Sequence, residues 1–263
     1  MKKRIFALFL SVLLLATVLC ACGDTKQEEA GGVGSDGTSS SGAVVDGGEM
    51  VVGIAQDLGD SLDPYQMTAA GTREGLFNIY EGLVKPNASG EYVPAVASDS
   101  TVSEDGLTYT FPLREGVLFH NGAAVKTDDV IYSFKTCAET TVDTALAEAL
   151  SSVKDITADG NTVTVTLKEA NPAFLSYVGM VYIVPADYTD EATAPVGTGP
   201  FKFVSRSVQE NLIVEKFADY WGEKAHLDKV TFKIYEDANA LMSALSAGSV
   251  DMAGHLTIDQ VDT

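Results

Sequence analysis

The polar and apolar positions of this chain follow several periods, and each predicts an element. Residues 50–55 (MVVGIA) are a short apolar run read as the first strand. The Gly, Asp and Pro of residues 57–64 (DLGDSLDP) mark a loop. Leu76, Phe77, Ile79, Tyr80 and Leu83 recur at helical spacing and predict a helix over 72–83. Leu107, Tyr109, Phe111 and Leu113 alternate as in a half-buried strand, and Pro112 suggests an edge. Thr127 is placed to cap a helix whose Asp128 and Asp129 suit its dipole, with Val130, Ile131, Phe134, Cys137 and Ala138 on one face. That face makes Cys137 a small buried hydrophobe, not a nucleophile. Val163, Val165 and Leu167 share a strand face. Residues 201–204 and 212–217 read as strands paired around a turn at 209–211, and 230–235 as a further strand. Asp237 caps a helix carrying Leu241, Ala244 and Leu245, and Gly248 suits its stop. Strands and helices interleave with hairpins and no internal repeat, which predicts an α/β or α+β domain.

The N-terminus follows another logic. Lys2, Lys3 and Arg4 precede an apolar stretch over 5–19, then Leu19-Cys20-Ala21-Cys22. This is the layout of a secretory signal peptide over 1–21. Its ending resembles a bacterial lipobox, which implies lipidation at Cys22. Residues 22–49, rich in Gly, Ser and acidic side chains, lack any apolar period and read as a disordered tether. A coil of that length has an end-to-end distance of roughly 30 Å. The folded domain is assigned to 50–263.

Composition narrows the function. With 46% hydrophobic and 21% charged residues, the chain can build a sizeable core. A net charge of −20 excludes the basic surface that nucleic acids require. Three cysteines without a C-x-x-C pair form neither a disulfide framework nor a thiolate metal site. No P-loop, G-x-S-x-G or H-E-x-x-H motif is present, and His120, His226 and His255 lack ligand spacing. No motif supports an enzyme, a cofactor or a metal site.

Several segments taken together resemble the extracytoplasmic solute-binding proteins of ABC importers, in the oligopeptide, dipeptide and nickel class. They are Ser61-Leu62-Asp63-Pro64, Ile79-Tyr80-Glu81-Gly82-Leu83-Val84, Tyr92-Val93-Pro94-Ala95, Glu104-Asp105-Gly106-Leu107-Thr108-Tyr109, Phe119-His120-Asn121-Gly122, Gly197-Thr198-Gly199-Pro200-Phe201, Asp219-Tyr220-Trp221-Gly222 and Ala247-Gly248-Ser249-Val250-Asp251. Most of these residues read as scaffold. Gly106, Gly116, Gly122, Gly197 and Gly199 are expected to supply turns with positive φ. Arg114 and Asp105 are available for an ion pair, His120 is structural, and Trp221 packs beside the sheet.

The resemblance implies a type II periplasmic-binding-protein-like fold, a mixed sheet with flanking helices. It implies a ligand held between two lobes that close by a hinge, and, for peptides, an added-strand grip on the ligand backbone. By position, Thr68, Ala69 and Ala70 face the cleft with small side chains. Arg73 either reaches a ligand carboxylate or is a solvated residue at a helix start. Gly254 and His255 lie in the crossover after Asp251, where His255 is either a ligand contact or a hinge or surface residue. The family's second lobe follows that crossover, so these residues correspond to the first lobe of a two-lobed, truncated fold. Alone, they are expected to bury less of a ligand than the ~70–90% usual in small-molecule pockets, and to bind it weakly or not at all. The function implied is a lipid-anchored receptor outside the cytoplasm that passes a small, peptide-like solute to a permease and ATPase. Nickel or its chelate is an alternative ligand on the same fold. A secreted hydrolase with an unrecognised site and a surface interaction protein are the alternatives from other classes.

Overall fold

A computed structural model describes residues 45–56, 58–67 and 70–254, with only the backbone of Ala70. The expected signal peptide, Cys22, nearly all of the expected tether, Thr68, Ala69 and His255 lie outside the described residues.

Two sheets carry the fold. The first is five-stranded. Next to its edge, β1 (Glu49–Ile54) runs parallel to the central strand β10 (Lys229–Ile234) on one side and to the short edge strand β11 (Met252–Ala253) on the other. Antiparallel β9 (Asn211–Lys216) and β8 (Phe201–Ser207) extend it beyond β10. Parallel strands need a crossover, and α5 (Ala238–Ser246) provides the one from β10 past β1 to β11. Asp237 starts α5 by accepting the Ala240 N–H at 2.8 Å, and its buried Leu241 faces the core.

The second sheet is antiparallel, in the order β4 (Thr101–Val102), β5 (Thr108–Pro112), β7 (Thr162–Leu167), β6 (Val153–Asp159). In β7 the sequence TVTVTL alternates threonines with buried Val163, Val165 and Leu167. Their shared face, with Tyr109 and Phe111 of β5, is covered by α2 (Thr127–Thr140) and α3 (Thr144–Ser151). A small hairpin, β2 (Val84–Pro86) with β3 (Tyr92–Pro94), and two short helices, α1 (Ala70–Leu76) and α4 (Phe174–Val178), complete the elements. One contiguous core joins both sheets, from Ile54 and Phe232 to Phe134 and Val165.

Several expectations shift. The helix predicted over 72–83 is α1 and ends at Leu76. Pro112 is the last residue of β5, an interior strand, so it marks the strand's end and not an edge of the sheet. Thr127 is the first helical residue of α2 and not its cap. Lys126 precedes it, with its N–H bonded to the Asp129 carboxylate at 2.8 Å. Ala138 is exposed, and buried Ser133 takes its place on the inner face. Ser133 is accepted there because its hydroxyl donates to Asp129 O at 2.7 Å and receives Val184 N–H at 3.0 Å. Before Met50, the Gly47 N–H already bonds His226 O at 2.7 Å, and Glu49 lies within β1. Cys137 is buried, and burial pushes its thiol up to about 12, which leaves it unreactive.

Candidate ligand-binding rim

In sheets with parallel strands, ligands collect beyond the carboxyl ends, where backbone groups leave the ladder. Here those ends are Ile54 of β1 and Ala253 of β11. Gly254 leaves β11 with its N–H on Gly53 O at 2.9 Å. A side-chain carbon on Gly254 would stand 3.3 Å from a carboxylate oxygen of Glu74, in α1. The segment holding Ala70 and Arg73 and the crossover holding Gly254 therefore meet on one rim, although about 180 residues separate them. Thr68, Ala69 and His255 lie outside the described residues.

The loop from β1 into α1 is held in place by distant side chains. The buried Thr72 hydroxyl accepts the Gly59 N–H at 2.8 Å. Arg206, on β8, donates to Gly59 O at 2.7 Å and to Leu58 O at 3.2 Å. The Tyr65 hydroxyl donates to Tyr182 O at 2.7 Å. Sequence reasoning passed over Arg206 because an arginine in an exposed hairpin strand carries no local sign of a partner 147 residues away.

Beside the rim lies a recess of about 260 Å³ between α1 and α3, lined by Tyr65, Met67, Arg73, Asp143, Met180 and Tyr182 among others. Arg73 spans its mouth and donates to Asp143 at 3.2 Å. Asp143 also caps α3, accepting the N–H groups of Ala145 and Leu146, both at 3.1 Å. The Leu146 bond foremost, with help from Arg73, holds the Asp143 carboxyl below its usual range.

A second hollow, of about 400 Å³, shares the Tyr182 wall and continues past Phe77 and Tyr80 to Glu81, Lys85 and Tyr220. The buried Glu81 carboxylate accepts from Lys85 (2.8 Å), Tyr220 (2.7 Å) and Trp221 (2.7 Å). Lys85 Nζ lies 5.0 Å from the centre of the Trp221 ring, and the Arg114 guanidinium lies 4.2 Å from it. Burial, then the neighbouring Glu81, pushes the Tyr220 phenol far up. The Tyr-Glu-Gly-Leu and Asp-Tyr-Trp-Gly motifs thus form one polar knot. Arg114 does not pair with Asp105. It donates to Ala95 O at 3.1 Å, while Asp105 accepts from the Ser103 hydroxyl and the Leu107 N–H within its own turn.

His120 is likewise structural. Its Nε2 donates to Gly199 O at 3.0 Å and its Nδ1 accepts the Gly197 N–H at 3.3 Å, an arrangement only the neutral ring satisfies. Burial lowers it to about 4. Gly106, Gly116 and Gly122 adopt positive φ, but Gly197 and Gly199 do not. Their need is proximity, since a side-chain carbon would fall 2.2 Å from Ile79 O at Gly197 and 2.4 Å from Asn78 O at Gly199. Among the described residues no cluster of His, Cys, Asp and Glu is placed to hold a metal ion, and no helix is long and apolar enough to cross a membrane.

The profile of the bacterial extracellular solute-binding proteins, family 5 middle region, matches residues 91–263. The chain is 30% identical over 184 residues to a nickel-binding periplasmic protein of Escherichia coli, covering 66% of this chain and 35% of that protein. It is 28% identical to a dipeptide-binding protein of Bacillus subtilis, covering 95% and 50% respectively. Among solved structures, an ABC-transporter-associated periplasmic binding protein from Helicobacter pylori, in complex with the peptide STSA, superposes with a TM-score of 0.74 at 32% identity. That match covers 83% of this chain and 48% of the other. The chain spans about a third to a half of the length of these relatives, which are binding proteins and not enzymes. Its motifs, its mixed sheets and these likenesses place the chain in family 5 of the bacterial extracellular solute-binding proteins.

Proposed function

We propose that this chain supplies one face of the solute site of an ABC importer's binding protein, and that the solute is a peptide or a comparable small organic molecule. The convergence of α1 and Gly254 at the carboxyl ends of β1 and β11 carries this reading. That rim offers backbone groups, a guanidinium and a shallow apolar recess, which suit a peptide. The contacts assigned are Thr68, Ala69, Ala70, Arg73, Gly254 and His255. Relatives named for dipeptides and for a bound peptide support the peptide class, and a relative named for nickel makes a metal chelate the second ligand to test. Attachment to the membrane through a lipid on Cys22, and delivery to permease and ATPase subunits, belong to the same proposal.

Two experiments test it. Equilibrium titration of the chain with dipeptides and with nickel chelates is expected to show weak association, in the millimolar range. Radiolabelled palmitate is expected to enter the wild type and not Cys22→Ser. A protein that binds neither a peptide library nor nickel chelates at millimolar concentration refutes the binding reading. Equal labelling of both forms refutes the anchor.

A further inference from the structure

We infer that the recess between α1 and α3 is a subsite for an apolar residue bearing a free carboxylate, such as the C-terminal leucine of a short peptide. The inference rests on the solute-binding reading and specifies which end of the solute this face holds.

Size comes first. At about 260 Å³ the recess is below the roughly 300–1,000 Å³ of pockets that enclose a whole ligand, so it is sized for one end of a solute. Its floor is apolar. Tyr65, Met67 and Leu146 are buried, and Met180 and Tyr182 are packed against the core. Two methionines in one small wall give a surface that adapts to different apolar shapes. Of the floor's two phenols, that of Tyr65 is not free for a ligand, since its hydroxyl is bonded to Tyr182 O.

Charge is confined to the mouth. Arg73 keeps 52% of its side chain exposed, and its guanidinium has five donors. Among the described residues it spends one, at 3.2 Å, on Asp143. Asp143 does not depend on that bond, because two α3 N–H groups already hold its other oxygen. The remaining guanidinium edge therefore presents the parallel pair of N–H groups that a carboxylate accepts. A carboxylate at the mouth above an apolar hollow matches an amino-acid residue, whose two groups leave one carbon. The overall charge of −20 repels anions at long range, so selectivity for a carboxylate must come from this local fork.

The test uses the whole chain with ¹³C-methyl methionine and ¹⁵N-arginine labels, titrated to millimolar concentration with Ala-Leu, Ala-Leu-amide, Ala-Gly and Ala-Lys. Ala-Leu is expected to shift the Met67 and Met180 methyls and the Arg73 Nε resonance. The amide, glycine and lysine peptides are expected to bind about tenfold more weakly, the equivalent of ~1.4 kcal/mol. Arg73→Gln should erase the difference between acid and amide, while Arg73→Lys should keep part of it. If peptides shift Met252, at the rim, but leave Met67 and Met180 unmoved, or if acid and amide bind alike, the subsite is wrong and the solute-binding reading survives. If no peptide moves any methyl, the peptide reading falls and the subsite falls with it.

Discussion

Glu191 offers the sharpest test of the physical reasoning. Its carboxylate is buried under the loop that leads to Gly197-Thr198-Gly199. One oxygen accepts the Tyr80 hydroxyl at 2.6 Å and the Val196 N–H at 2.9 Å, while the other is buried without a partner. Burial disfavours the charged form more than those two bonds favour it, and the Asp63 charge adds to the penalty, so the carboxyl rises from 4.5 to about 7. The folded state thus holds this proton more tightly than the unfolded chain does. The stabilisation is fully present below pH 4.5 and is lost as pH rises through 7. At 1.36 kcal/mol per pH unit the difference is roughly 3 kcal/mol, a large part of a stability of about 5–15 kcal/mol. Glu191→Gln keeps the acceptor for Tyr80 and Val196 but cannot ionise. Urea unfolding of both proteins between pH 4.5 and 8.5 isolates the effect, since the other titrating groups cancel in the difference. The two are expected to be similar near pH 4.5, with the variant more stable by about 2–3 kcal/mol at pH 8.5. Parallel stability curves across that range would mean that Glu191 is ionised at no cost, and the burial argument would be wrong.

Other perturbations probe different contacts. His120, held neutral at about 4, contributes stability above pH 6.5 that is lost as pH falls through 4, so His120→Gln should flatten the acid limb of thermal unfolding. Glu81→Ala leaves Lys85 and the Trp221 N–H without their buried acceptor. It should cost about 1–3 kcal/mol by urea unfolding and red-shift the emission of Trp221, the sole tryptophan. Gly197→Ala drives a methyl into Ile79 O and should cost about 1–3 kcal/mol or more, read as a lowered midpoint or loss of soluble protein. Asp143→Ala removes the α3 cap and should cost about 1 kcal/mol, measured by the same unfolding assay.

How much of this was legible in the sequence depended on whether the signal was local. Strands with a strict two-residue alternation, such as β7, and helices with an acidic cap, such as α5, declared themselves because burial and capping act over a few residues. The site was legible only as two segments, around Arg73 and around Gly254. Their meeting depends on β1 lying between β10 and β11, a pairing that no short pattern encodes. The recess was invisible for the same reason, since Met67 and Arg73, Asp143, and Met180 come from three separate stretches.

The helix that stops early shows the competition most clearly. Leu76, Ile79, Tyr80 and Leu83 are buried while Phe77 is exposed, so the apolar spacing over 72–83 recorded burial at four of its five positions. It was not a record of helix, because the carbonyls beyond Leu76 are claimed elsewhere. Phe201 donates its N–H to Asn78 O at 3.1 Å, and Gly199 donates to Ile79 O at 2.8 Å. Extending α1 would withdraw those acceptors and strand the 197–201 segment, whose buried N–H groups need partners. Only glycine permits that approach, with added carbons falling within 2.4 Å of the same carbonyls. The Gly-Thr-Gly-Pro-Phe motif and the end of α1 therefore explain each other. The glycines are the half of that contact that sequence displays, and the shortened helix is the half that only the fold reveals.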